Sequence, residues 1–212
     1  MIVLGIDLCT SEGSISLIKN GELLGISLWN QPKKHSEKIF VEIKKLLEQT
    51  EVKKEDISLV VVSSGPGSFT GVRLSVTVGK SLKVVGLKVK AVSTLQLIGL
   101  QHLKANLPII SLLSGRRNRY YTLVRESPLD SSNVMDLTEE ELFSKVEDYS
   151  RYIVVYKGNI SDSIKKNFKT IYETTPLSLI AALIPFEFPQ LLKPLHFYYV
   201  RDHDAKPSCK KL

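Results

Sequence analysis

The sequence predicts an α/β protein of two half-domains, each a mixed sheet flanked by helices, with the second half reduced. Three observations lead there. Short apolar runs at residues 2–6, 14–18, 57–62 and 108–113 have the length and β-branched content of buried strands. Segments with helical spacing separate them: residues 35–49 put Ile39, Ile43, Leu46 and Leu47 on one face, and residues 71–85 contain no proline. The order strand, strand, strand, helix, strand, helix, strand, helix fills the first half and is echoed in the second.

Taken in turn, residues 2–6, 14–18 and 22–28 read as three strands, and Asn20-Gly21 between the last two is a strong hairpin signal. Ser36 is the expected N-cap of the helix over 35–49. A strand ending at Ser63, a helix from Gly71, a short strand at 89–92 and a helix from Thr94 to about Ala105 complete the half. A strand from Pro108 to Leu113 then pairs with one from Tyr120 to Arg125, across the basic turn Ser114-Gly115-Arg116-Arg117-Asn118-Arg119. The halves divide into residues 1–106 and 107–212. Thr138-Glu139-Glu140-Glu141 is a capping-box start for a helix through Val146. Residues 152–156 read as a strand, 160–168 as a helix, and 176–183 as a short helix ended by Pro185. This order is the half-domain of the sugar-kinase, heat-shock and actin superfamily, the actin-like/ribonuclease H-like (ASKHA) fold, in which an antiparallel meander joins two parallel strands.

With 212 residues and 43% hydrophobic content the chain can bury a substantial core. No apolar run has the length of a membrane span, and residues 1–7 lack the basic start and cleavage site of a signal peptide, so a cytoplasmic location is expected. Cys9 and Cys209 show no pairing pattern, which fits a reducing compartment. The net charge of +7 permits a nucleic-acid partner, but the lysine pairs are scattered as on an ordinary solvated surface.

The most distinctive stretch runs from Ser63 to Arg73, Ser-Ser-Gly-Pro-Gly-Ser-Phe-Thr-Gly-Val-Arg. It reads as a tight corner between strand and helix. Gly65 and Gly67 free the backbone beside Pro66, Ser68 or Thr70 can cap the helix, and such a corner can bind an anion. Three more specific motifs fail on spacing. A P-loop ending at Gly79-Lys80-Ser81 would need glycine where Leu74 stands, a dinucleotide fingerprint needs glycine where Thr70 stands, and a nucleophile elbow at Ser68 needs glycines in place of Pro66 and Thr70.

The run Gly65-Pro-Gly-Ser-Phe-Thr-Gly-Val-Arg73, in a chain that begins Ile6-Asp7 and contains His35-Ser36-Glu37, resembles the bacterial TsaB (YeaZ) family, glycoprotease-like paralogues of TsaD. The tail from Lys193 to Arg201 resembles that family's Pro…Tyr-Leu-Arg ending. The resemblance implies the ASKHA fold and the motif loop Gly65, Gly67, Ser68, Thr70, Gly71 and Arg73. It also implies a role in forming threonylcarbamoyladenosine (t6A) beside the anticodon in tRNAs that read codons beginning with A. The implied role is that of a non-catalytic subunit that binds TsaD and, with TsaE and ATP, supports transfer of threonylcarbamoyl from threonylcarbamoyl-AMP. Contact with tRNA is then indirect.

The residues agree with a subunit lacking catalytic groups. Asp7 is present where ATP-hydrolysing members of the superfamily begin their first phosphate loop, but Cys9 replaces the usual glycine, and the corresponding second turn has Ser114 and Arg119 instead of acids. His35, His102, His196 and His203 are nowhere three or four apart, so TsaD's helical histidine pair is missing. No cofactor or metal is expected. The helix from Gly71 carries Ser75 and Gly79 beside Val72 and Val76, a strip that a second helix could approach, or that could equally pack on its own sheet. With His35 and Ile39 it forms the expected partner interface, matching the family's helical bundle with TsaD or with a second copy. Two alternatives stay open: a small ATPase or metallopeptidase of the same fold, and a direct tRNA-binding module using Arg116, Arg117 and Arg119 beside Tyr120 and Tyr121.

Overall fold

The computed structural model describes residues 1–100, 102, 107–125, 134–146, 148–174 and 176–200, and among these the strands form two five-stranded mixed sheets. In the first, β1 (Ile2–Asp7), β2 (Gly13–Lys19) and β3 (Glu22–Trp29) make an antiparallel meander. On the other side of β1, β4 (Ile57–Ser63) and β5 (Val89–Val92) add in parallel, giving the order β3-β2-β1-β4-β5. Asn20 and Gly21 turn the hairpin with φ of 53° and 91°, the left-handed pair that the Asn-Gly signal calls for. Alternation along β1 sends Leu4 and Ile6 towards α1 (His35–Gln49) and α2 (Phe69–Val84), where they pack with Ile39, Ile43 and Val78. Val3 faces the layer between the sheets.

The second sheet repeats the plan. β6 (Ile109–Ser114), β7 (Arg119–Arg125) and β8 (Met135–Thr138) form its meander, β9 (Ile153–Lys157) and β10 (Thr170–Glu173) its parallel pair, in the order β10-β9-β6-β7-β8. The second half is therefore complete in strand order and reduced in element length. β8 has 4 residues against 8 in β3, and α4 (Glu139–Lys145) and α5 (Asp162–Asn167) have 7 and 6 against 15 and 16 in α1 and α2. β8 and β10 were not expected. Runs of four residues are too short to show an alternation, and only the neighbouring strand defines them.

Several boundaries differ from expectation for local reasons. Ser36 does not cap α1: a 3-10 turn over Pro32–Lys34 leads directly into the helix, so the N-cap is Lys34 and Ser36 already lies inside. Pro185 does not end the helix near residue 183. α6 (Leu177–Glu187) carries it internally, because Ile184 and Phe186 on either side are held in the inter-sheet core. Tertiary burial there outweighs the lost amide hydrogen bond. The capping box at Thr138 and Glu141 forms as expected. α3 covers Thr94–Leu100; the expected continuation over residues 101 and 103–105, and the tail residues Arg201, His203 and Cys209, lie outside the described residues.

The last helix of each half packs on the sheet of the other. α3 lies on β6, β7 and β9, α6 lies on β1, β2 and β4, and the two helices touch. The resulting core draws Val3, Val61, Leu95 and Ile98 together with Ile109, Val155, Leu177 and Ala181. Gly5 makes the α6 contact possible, since a Cβ there would run into the Ser178 carbonyl and press on Ala182. Ser16 and Ser178 share a buried hydroxyl hydrogen bond of 2.7 Å beside it. Replacing Gly5 with alanine should therefore cost at least about 2 kcal/mol by forcing α6 off the sheet, measured as a lower urea midpoint with an unchanged slope.

Candidate partner surface and interdomain cleft

The Ser63–Arg73 corner is built to sit on the β1–β2 turn. β4 delivers the chain to Ser63, and Ser68 caps α2, its Oγ accepting from the Gly71 amide at 3.0 Å; the helix thus starts at Phe69, two residues before Gly71. Gly65 has φ of 104° and lies against the Tyr198 carbonyl. A Cβ at Gly67 would strike the Cys9 carbonyl, and one at Gly71 the Leu8 carbonyl. The Ser68 amide donates to that Cys9 carbonyl at 2.9 Å. The Ser68 and Gly71 amides, which an anion at this corner would need, are thus engaged within the chain, and the expectation of an anion site is corrected accordingly. Thr70 and Arg73 are exposed, with the Arg73 guanidinium 3.8 Å from the centre of the Phe69 ring.

Beneath the corner lies Asp7, fully buried at the end of β1. It accepts hydrogen bonds from the Ser63 hydroxyl, the Cys9 amide (3.2 Å) and the Thr10 hydroxyl (3.0 Å). Burial pushes its pKa above the ordinary carboxylate value, partly opposed by these donors and by the nearby Lys157 charge. Burial also pushes the Cys9 thiol up to about 12, so it is a packed side chain, not a nucleophile. Among the described residues no three histidine, cysteine or acidic side chains converge to hold a metal ion.

The six side chains expected to face a partner face inward instead. Ile39, Val72, Ser75 and Val76 are fully buried, His35 is 3% exposed, and Gly79 is buried. Their packing on the chain's own elements corrects the reading of this strip as an open surface. The Ser75 hydroxyl donates to the Ser63 carbonyl at 2.6 Å. Trp29 Nε1 donates to His35 Nδ1 at 2.9 Å, which leaves the ring proton on Nε2, 3.2 Å from the Thr10 carbonyl. Gly79 contacts Leu195 of a C-terminal strap, residues 193–200, which crosses α2. The strap is tied down by paired Ala91 and Lys193 backbones and by the Tyr198 amide to the Ser64 carbonyl at 2.9 Å. What α1 and α2 do leave exposed is apolar: Phe40 and Val41 on one, Val84 on the other with Val85 just beyond it, bordering a groove of about 570 Å³ lined by Ile43, Leu47, Leu82 and Leu87.

A separate cleft of about 810 Å³ opens between the halves, lined by the β1–β2 turn, the motif corner, Arg116, Tyr121, Lys157 and the strap residues Tyr198 and Tyr199. Lys157 and Glu12 bridge it with an ion pair at 3.1 Å. Arg119, expected beside Arg116 and Arg117, is instead paired with Asp136 and Glu141, both at 3.1 Å. Tyr120 is buried with its hydroxyl accepting from the Ser161 amide at 3.3 Å, which removes its ring from any stacking surface. Sequence reasoning missed Glu12, Lys157, Tyr198 and Tyr199. The first two come together over 145 residues, a separation that leaves no sequence signal.

The family model described as TsaD, tRNA N6-adenosine threonylcarbamoyltransferase, matches residues 23–197. The chain belongs to this family. Its curated relatives place it with the TsaB (YeaZ) proteins. The tRNA threonylcarbamoyladenosine biosynthesis protein TsaB of Bacillus subtilis is 29% identical over 123 residues, 58% of this chain and 54% of that one. The protein of the same name from Buchnera aphidicola subsp. Schizaphis graminum is 33% identical over 98 residues, 46% of each. The chain thus spans about half the length of the curated relatives it matches. The structure of YeaZ from Pseudomonas aeruginosa superposes with a TM-score of 0.68 at 18% identity, over 90% of this chain and 94% of that one, and has the same fold. No described helix is long and apolar enough to cross a membrane.

Two tests follow from the buried network. An acid whose pKa is higher in the folded state holds its proton more tightly there, so its contribution falls as pH rises from the unfolded value, about 4, through the raised one. Wild-type stability relative to Asp7→Asn should decline with rising pH across that window, as read from urea unfolding at a series of pH values. His35→Ala strands the Trp29 indole N–H and the Thr10 carbonyl, and should cost about 1–3 kcal/mol in the same assay.

Proposed function

We propose that this chain is a non-catalytic subunit for t6A formation, binding TsaD through the exposed edge of α1 and α2. With TsaE and ATP, it supports transfer of threonylcarbamoyl from threonylcarbamoyl-AMP to the adenosine beside the tRNA anticodon. The observation that carries the reading is the family match together with the sealed β1–β2 turn. Its Cys9 carbonyl is taken by Ser68, and Asp7 spends its acceptors on Ser63, Cys9 and Thr10. The acid most suited to position a phosphate-bound cation is therefore committed to holding the fold.

The binding role rests on the apolar face. His35, Ile39, Val72, Ser75, Val76 and Gly79 hold α1 and α2 in place, and this leaves Phe40, Val41 and Val84 beside an apolar groove, a contact suited to a partner's helices. tRNA is reached through the partner, and the chain works in the cytoplasm. Reconstitution with purified TsaD and TsaE tests this. Omitting the chain should abolish t6A formation, and Phe40→Glu with Val41→Glu should weaken TsaD binding at least tenfold without lowering the thermal midpoint, because a charge stranded in an apolar contact is unfavourable. Full modification without the chain, or ATP turnover by the chain alone, would overturn the reading.

A further inference from the structure

The first sheet has an outer strand that no described residue covers. β3 is 8 residues long, and its exposed side chains are apolar: Leu24, Ile26 and Leu28 on one face at 39, 36 and 49% exposure, and Leu23 on the other at 48%. Such an edge presents unpaired amides and carbonyls, and proteins usually blunt it with lysine, proline, shortness or a cover. The other three edges are managed in these ways. β5 is bridged by the strap at Lys193. β8 and β10 have 4 residues each, with Asp136 ion-paired to Arg119 and Tyr172 stacked on His102 at 4.3 Å. β3 has neither lysine nor proline, and its single charge, Glu22, stands at its first position.

We propose that β3 pairs antiparallel with β3 of a second copy of this chain, about a two-fold axis at Ile26. The strand is close to symmetric about that residue: Gly25 and Ser27 flank it, and Leu24 and Leu28 stand beyond. A two-fold interface requires a patch complementary to itself, and this register sets Ile26 against Ile26 and each Leu24 against a Leu28. The charges agree with it. Glu22 begins the strand, and the exposed Lys33 and Lys34 follow shortly after its end, so antiparallel pairing brings each copy's acid towards the other's cations. Two sheets become one continuous sheet, and because each edge is used once, assembly stops at two. The contact lies on the sheet edge, not on the Phe40 and Val84 face assigned above to TsaD.

Light scattering after size exclusion, on the full chain over about a hundredfold range of concentration, reads the assembly directly. The wild type should reach twice the chain mass at the upper end. Ile26→Lys with Leu28→Lys should stay at single mass with an unchanged thermal midpoint, both positions being exposed. In a Cys209→Ser background, Ile26→Cys should cross-link to itself on oxidation, because directly opposed residues lie about 4.5–5.5 Å apart between Cα atoms, within disulfide reach. Leu24→Cys should not cross-link alone but should do so when mixed with Leu28→Cys. A wild type of single mass throughout overturns the proposal, as do open-ended oligomers, or a dimer that survives the lysine pair and dissolves with Phe40→Glu. Retention of TsaD binding by the lysine pair would separate this contact from the one made with TsaD.

Discussion

The β1–β2 turn offers backbone carbonyls in a buried position, and much of the first half is arranged to supply their donors. The Ser68 amide reaches Cys9, and the His35 ring reaches Thr10. An unmet buried carbonyl costs about 1–3 kcal/mol, so these contacts are constraints as much as gains. The approach to Cys9 is possible only because Gly67 and Gly71 carry no side chain. Once the corner is seated, the start of α2 is placed, Ser75 can bond the end of β4, and α1 is hung from the same turn through His35.

That arrangement bears on chemistry. A turn whose carbonyls and carboxylate are satisfied by the chain's own donors is rigid and closed, and Asp7 keeps a raised pKa because nothing nearby fully offsets its burial. The cleft between the halves is lined at its mouth by tyrosines of the strap and spanned by the Glu12 to Lys157 ion pair. The strap also fills the strip along Ser75 and Gly79 where a partner's helix could have lain. The open apolar surface therefore moves to the far edge of the helix pair, where Phe40 and Val41 stand at 50% exposure.

The halves are joined by exchange, not by a linker alone. α3 and α6 each cover the sheet of the other half, and close contacts at Gly5 and Gly99 lock them there. Separating the sheets would expose the apolar layer from Val3 to Leu191, so the two halves depend on each other for burial.

The sequence by itself determined what is local. Asn20-Gly21 specified its turn, Thr138 to Glu141 its capping box, the spacing of Ile39, Ile43 and Leu46 the buried face of α1, and the Gly65 to Arg73 run the family. Tertiary structure decided whatever depends on distant neighbours. β8 and β10 exist because β7 and β9 pair with them, and α6 passes through Pro185 because the core holds both sides of it. The small-residue strip of α2 read equally well as a partner face or a packing face, since helical periodicity shows that a face is apolar and not what covers it. Leu195, from far along the chain, covers part of it, and its own sheet covers the rest. The exposed edge of β3 was hidden for the same reason: a strand's sequence does not reveal whether it lies inside a sheet or at its border.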